Sequence, residues 1–394
     1  MSKVGIVSCY FQKNYGSQLQ ALATQMALDK LGIDNETIDI SGFNKEIKKA
    51  KTAYFMKAAI TEGLILTKLG MFKNVLRRKL IKDNYTKLSD SRSERFEKFL
   101  NEKYRLSKKY QSKKQLAEES SEYSAVLVGS DQLWLPANIM GDYYTLNWVA
   151  DGVNTVAYAT SFGQSELPKD IEKKARVFLK RIKHIGVREQ SGQKLVGKIS
   201  GRKVPVVCDP TLLFTGEEWQ KNIEVKPKYN EKYILCYFLG NNSEDRQFAL
   251  RLKDKTGCKI VALVHLDEFV KYDEEYADYK PYDIDSFDFL NLIKNAEYVC
   301  TDSFHCTVFS ILFKKVFFVF RRYRKNGKNS TNNRLDSLLS IVSMENRIFN
   351  GDEKIDEKIF EMDVLQADNK LNEFRKQSYD YLLRAVNDEG NTDL

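Results

Sequence analysis

Strand, loop, helix, strand is the order of the first forty residues, and it restricts the fold more than anything else in the chain. "KVGIVSCY" (3–10) is an apolar run of strand length. "NYGSQLQALATQMALDKLG" (14–32) follows as a loop and a helix. Leu19, Leu22, Ala23, Met26, Ala27 and Leu31 recur at helical spacing, and Gly32 supplies a stop. "NETIDI" (35–40) is a second strand. Strands joined through a helix run parallel, and a parallel sheet needs helices on both faces. The chain is therefore an α/β protein.

The same pattern returns along the sequence. "SAVLVGSDQLW" (124–134), "TVAYATSFG" (155–163), "HIGVRE" (184–189) and "VPVVCDPTLLF" (204–214) read as further strands, with helices over "DIEKKARVFLKRIK" and "SGQKLVGKI". A second series begins at "KYILCYFLGNN" (232–242). It continues through helix "SEDRQFALRLKDKTG", strand "KIVALVH", helix "SFDFLNLIKNA", strand "EYVCT", helix "FHCTVFSILFKK" and strand "VFFVF" (316–320). A length of 394 residues suits two domains. We expect a first domain over 1–215, a second over 225–350, and charged helices over 351–394 ("LNEFRKQSYDYLLRAV") packing back. Two such domains bind ligands at the carboxyl ends of their strands, in a shared cleft.

Charge is unevenly spread. Residues 45–114 hold 21 Lys and Arg against 7 Asp and Glu, while the whole chain carries only +9, so the rest is net acidic. The basic excess therefore belongs to one segment, read here as a helical insertion over about 45–120 in the first domain. Its interspersed Leu, Ile, Phe and Tyr suit an anionic membrane surface. A solvated helical face is the plainer reading, and no nucleic-acid motif accompanies the charge. No stretch reaches about 18 uncharged apolar residues, and the start is too quickly polar for a secretory signal. Six scattered cysteines fit buried reduced thiols and a cytoplasmic setting.

Chemistry is expected in the loops that follow the strands. "TDSFHCT" (301–307) holds one of only three histidines. Asp302 or Ser303 can cap the helix that follows, which places His305 in its first turn, where free N–H groups favour an anion. A plain buried histidine is the alternative. Zinc on Cys300, His305 and Cys306 matches no common spacing, and Cys306 as a nucleophile is the weaker reading beside apolar neighbours. In "KNYGSQLQ", Gly16 allows close backbone approach and Ser17 can cap a helix. In "VGSDQLW", Asp131 either acts as a general base or orients a sugar hydroxyl. Trp134 either stacks on a sugar ring or belongs to the core. Arg188 leaves a strand in "GVREQS". Arg321, Arg322 and Arg334 flank a basic loop and can bind anions. No P-loop or GxGxxG pattern is present.

NYGSQLQALA, VGSDQLW, YATSFG, GVREQSG, CDPTLLF and TDSFHCTVFSILF, in this order and spacing, resemble the polysaccharide pyruvyl transferase family, from about residue 10 to about 345. The resemblance implies two Rossmann-like domains facing a cleft, as in GT-B glycosyltransferases. It implies transfer of pyruvate from phosphoenolpyruvate to a sugar as a cyclic ketal, with no cofactor and no metal. It implies His305 as general acid in contact with phosphoenolpyruvate and Arg188 on the donor's charge. Beside these, Asp131 is expected as the base near the acceptor hydroxyls, and Ser303, Arg334 and Arg321 are expected to complete the phosphoenolpyruvate site. Asn14, Gly16, Ser17, Gln132 and Trp134 are expected on the acceptor side. Many family members carry arginine where this chain has Ser303, so positive charge must come from elsewhere. Family acceptors are often sugars on a lipid carrier, which gives the basic segment a use at the inner membrane face of a cytoplasmic enzyme.

Two rivals share the scaffold. One is a GT-B glycosyltransferase using a nucleotide sugar; the other is a non-catalytic glycan-assembly protein, kept alive by Ser303. Titration with phosphoenolpyruvate and with a nucleotide sugar separates them.

Overall fold

The structure, a computed structural model, describes residues 2–61, 84–224, 226–265, 270–322, 333–390 and 392–394. Two parallel sheets organise them. The first contains β1 (Val4–Val7), β2 (Asn35–Asp39), β3 (Leu106–Lys109), β4 (Ala125–Val128), β5 (Asn154–Thr160) and β6 (His184–Val187), in the order β3-β2-β1-β4-β5-β6. The second contains β7 (Tyr233–Tyr237), β8 (Lys259–Ala262), β9 (Tyr298–Thr301), β10 (Val316–Phe320) and β11 (Ile348–Phe349), in the order β11-β10-β9-β7-β8. Strands β1, β4, β5, β6 and β7 are buried at every position. That is what apolar runs covered on both faces require.

Strand order reverses between β1 and β4 in the first sheet and between β7 and β9 in the second. Crevices that take ligands form at such points, beyond the carboxyl ends of the strands. The helix Tyr15–Lys30 leaves β1 toward its crevice, and the helix Phe304–Leu312 leaves β9 toward the other.

Several contacts hold the two sheets together. Tyr15 stacks on Phe289 with centroids 4.8 Å apart, and Ser286 Oγ donates to Gln18 Oε1 at 2.8 Å. Helix Asn84–Lys103 follows the first βαβ unit, yet its buried Arg92 donates to the carbonyls of Val264, Pro281 and Tyr282. The last long helix, Val364–Val386, returns to the first sheet. Asn154 Nδ2 donates to Ala385 O at 2.8 Å, and Tyr381 Oη donates to Ala157 O at 3.1 Å.

Two sequence expectations change here. "VPVVCDPTLLF" is not a strand. Only Val206 bridges to Val187, and Pro210–Leu213 forms a 3-10 turn. Pro205 and Pro210 each lack the N–H that a sheet ladder needs. The basic segment is not wholly helical either: β3 lies inside it as the edge strand, with its lysines outward. An edge strand needs only one apolar flank, and lysine there discourages further pairing. Part of that segment, 62–83, lies outside the described residues. Among those described, no helix is long and apolar enough to cross a membrane.

Candidate active site

The loop after β4 places Asp131. Its peptide neighbour Gly129–Ser130 is cis, and Asp131 itself sits at φ 80°. That left-handed conformation costs a non-glycine residue on the order of 1 kcal/mol and recurs at functional sites. It is over-determined here. Asp131 Oδ2 accepts from Ser17 Oγ at 2.9 Å, Oδ1 accepts from Arg188 Nη2 at 3.3 Å, and Arg334 Nη1 lies 3.7 Å from Oδ1. Burial pushes this carboxyl up, but Arg188, His305, Arg334 and Ser17 together outweigh it, so the pKa settles at about 2.

Asp209 forms the second focus. It caps the Pro210–Leu213 turn by accepting from Thr211 N at 3.1 Å. Its Oδ2 accepts from Arg188 Nη1 at 2.8 Å and from Ser130 Oγ at 3.1 Å. His305 Nε2 approaches the same oxygen at 3.5 Å, across from the second sheet. Burial raises this carboxyl, but His305 and Arg188 prevail and hold it far below the usual range.

His305 occupies the first turn of helix Phe304–Leu312, capped by Ser303, whose Oγ accepts from Cys306 N at 3.5 Å. The ring is wedged against the first half of the chain. A Cβ on Gly16 would fall 2.5 Å from His305 Cγ and 2.7 Å from its Cβ. Gly16 is thus required for the histidine to reach its place. Phe304 lies beneath two guanidiniums, with Arg188 Cζ 4.6 Å and Arg334 Cζ 5.6 Å from its centroid. Burial and the nearby Arg188 lower Arg334 to about 10, which leaves it charged at neutral pH. Glu189 moves the other way: burial raises its carboxyl against the pull of Arg188 and Ser161.

The structure brings His305, Asp131, Arg188, Arg334, Ser17, Gly16 and Ser303 together. Asn14 stands one turn back as the cap of helix Tyr15–Lys30, accepting from Ser17 N at 3.1 Å. Three expectations need correction. Trp134 is core: it is fully buried, donates from Nε1 to Tyr144 O at 3.0 Å and packs on Phe162 and Phe178. No ring face is left for a sugar. Arg321 does not join the cluster; it pairs with Asp336 at 2.8 Å in a separate groove. Its neighbour Arg322 reaches Asp302 instead, with Nε 3.4 Å from Oδ2. Arg188 converges on the site but keeps a side chain only 2% exposed, both Nη atoms serving aspartates. It positions the carboxylates and offers a ligand almost no surface.

Sequence reasoning passed over Asp209, because "CDPTLLF" read as strand. An aspartate between a strand-like run and a proline was the available signal. Asp302 was read only as a helix cap. It instead accepts from Gly240 N at 2.7 Å and Leu239 N at 2.6 Å, fixing the loop after β7. Cys306 is fully buried and its thiol is raised to about 12 by burial, which removes it as a nucleophile. Among the described residues, no three His, Cys, Asp or Glu side chains converge to hold a metal ion.

Buried His305 Nε2, Arg188 Nε, Arg334 Nε and Arg322 Nε make no hydrogen bond among the described residues. Each guanidinium faces an aspartate, so the cluster is nearly charge-balanced. Net attraction for an anion therefore falls to His305 and to the N-terminus of its helix. The arrangement can hold an anion, give or take one proton at His305 and keep a fixed carboxylate, Asp131, beside both.

Two parallel sheets whose post-strand loops meet between them define an α/β protein of the two-Rossmann-like-domain, GT-B-like class. UDP-GlcNAc 2-epimerase from Neisseria meningitidis bound to UDP-GlcNAc superposes with a TM-score of 0.51 at 12% identity, over 98% of this chain and 100% of that one. The S. aureus MnaA structure with UDP (TM-score 0.46, 14% identity, 100% and 93% covered) and MurG of Acinetobacter baumannii (0.42, 9%, 98% and 100%) are also similar. At such identities the likeness describes the fold. The family is fixed by the sequence itself: the polysaccharide pyruvyl transferase model matches residues 14–322, and the chain belongs to that enzyme family. No curated protein matches it.

Proposed function

We propose that this transferase moves pyruvate from phosphoenolpyruvate onto a sugar of a polysaccharide or its lipid-linked precursor, closing a cyclic ketal. The observation that carries the reading is the meeting of His305, at a helix N-terminus of the second sheet, with Asp209, Asp131 and Gly16 of the first. On this reading residues 225–350 hold the donor and residues 1–215 the acceptor.

His305 gives a proton to the methylene carbon of phosphoenolpyruvate, and the central carbon becomes cation-like. An acceptor hydroxyl attacks that carbon and returns a proton to the now-neutral His305. A second hydroxyl closes the ring as the C–O bond to phosphate breaks, and its proton leaves with the phosphate. The phosphate lies at the N-terminus of helix Phe304–Leu312, where Ser303 and the backbone N–H groups replace the missing family arginine. Arg334 is the guanidinium best able to turn onto it, since its contact with Asp131 is a loose 3.7 Å. Asp131, with a pKa of about 2, is a weak base. It serves the second role open to it, orienting the acceptor hydroxyl and facing the developing positive charge.

Calorimetric titration of phosphoenolpyruvate into wild type and His305→Ala tests this. Binding that weakens at least tenfold in the variant is expected. Equal binding and equal pyruvyl transfer by a folded variant would remove His305 from the mechanism.

A further inference from the structure

A cavity of about 520 Å³ opens beside Asp131, lined by residues of the first sheet's half. Its wall is built by the loop after β4, by Gln164, and by Lys51, Tyr54 and Phe55 of helix Asn44–Thr61. That volume is in the range that buries a small ligand. Gln132 lines it with a buried Nε2 that makes no hydrogen bond.

The charges in this cavity are unequally satisfied. Asp131 is matched by two guanidiniums and the Ser17 hydroxyl. Lys51 faces no carboxylate among the described residues. Its Nζ lies 6.0 Å over the Tyr144 ring, and burial lowers its pKa. A partly buried cation without a counter-charge favours an anionic ligand. The aromatic side chains of Tyr54 and Phe55 supply flat apolar surface beside it, which suits the face of a sugar ring.

We propose that this cavity is the acceptor subsite and that it selects a negatively charged sugar. Lys51 binds the carboxylate or phosphate, and Tyr54 and Phe55 flank the ring in the place once expected of Trp134. The proposal rests on the pyruvyl-transfer reading for the word acceptor, but its binding test does not. An anion at Lys51 has two sources, the acceptor and the donor, and the experiment separates them.

Methyl glucuronide, glucose 1-phosphate and methyl glucoside are titrated into the full chain by ligand-observed NMR. Wild type is expected to bind at least one of the two anionic probes about tenfold more tightly than the glucoside. Lys51→Met abolishes that preference, while Lys48→Met, which removes an exposed charge from the same helix, retains it. Phosphoenolpyruvate is titrated into the same proteins. Unchanged phosphoenolpyruvate binding in Lys51→Met, with the sugar preference lost, assigns the anion to the acceptor. Loss of phosphoenolpyruvate binding alone assigns Lys51 to the donor and overturns the proposal. Equal binding of all three sugars, or binding of none, also overturns it. Phosphoenolpyruvate binding that persists in that case leaves the transfer reading standing.

Discussion

Gly16→Ala adds one carbon where His305 already stands. That carbon would lie 2.5 Å from Cγ and 2.7 Å from Cβ of the histidine. An ordinary carbon contact is about 3.5–4.0 Å, so one side must retreat by about 1 Å. Helix Tyr15–Lys30 is held by the Tyr15–Phe289 stack and by the Ser17–Asp131 hydrogen bond. The histidine ring, whose own contact with Asp209 is a loose 3.5 Å, is the part that yields. On the proposed mechanism His305 is the acid, and moving it by about 1 Å costs on the order of a hundredfold in rate. Overpacking of this kind costs about 1–3 kcal/mol, or a few degrees of melting temperature. The assay is phosphate release from phosphoenolpyruvate with acceptor, beside a thermal melt. A fall in kcat of about two orders of magnitude in a protein that melts only a few degrees lower is expected. A folded variant that keeps its rate within about threefold would refute the argument that Gly16 seats His305.

Two further outcomes follow from the geometry. Trp134→Phe leaves Tyr144 O without its indole donor and a gap beside Phe178, costing about 1–2 kcal/mol of stability in chemical denaturation, with acceptor KM unchanged; a raised KM would restore Trp134 to the sugar site. Asp131 is held at about 2 against an ordinary value near ~3.9, so its ionised form contributes about 2 kcal/mol that is complete above the unfolded pKa and lost as pH falls through the folded one. Wild type should therefore lose stability between about pH 4 and 2 more steeply than Asp131→Asn, and equal slopes would contradict that.

The parallel strands were legible because burial on both faces writes itself as apolar runs. β1, β4, β5, β6, β7, β8, β9 and β10 all fall inside such runs. β3 did not announce itself, since Leu106–Lys109 is mostly polar and its pairing with β2 depends on a distant partner. The reverse error arose at 204–214, where hydropathy suggested a strand that two prolines forbid. At the site, the helix-capping role of Ser303 and the tight approach at Gly16 were readable from residue type. The identity of what approaches Gly16 was not, because His305 lies far along the chain and on the other sheet. Asp209 and Lys51 were invisible for the same reason: their significance is set by neighbours from other elements.

The carboxylate of Asp209 belongs to one half of the molecule and His305 to the other. Parting the halves by a few ångströms would leave every residue intact and still dissolve the pair, along with the wedge at Gly16. The machinery is thus an interlock, complete only while both halves are seated. On the proposed mechanism, a donor would meet its acid only while the halves are seated, so the geometry itself would guard the donor against idle loss to water. Arg92 and Tyr15 brace the two halves against such a parting, although neither belongs to the cluster.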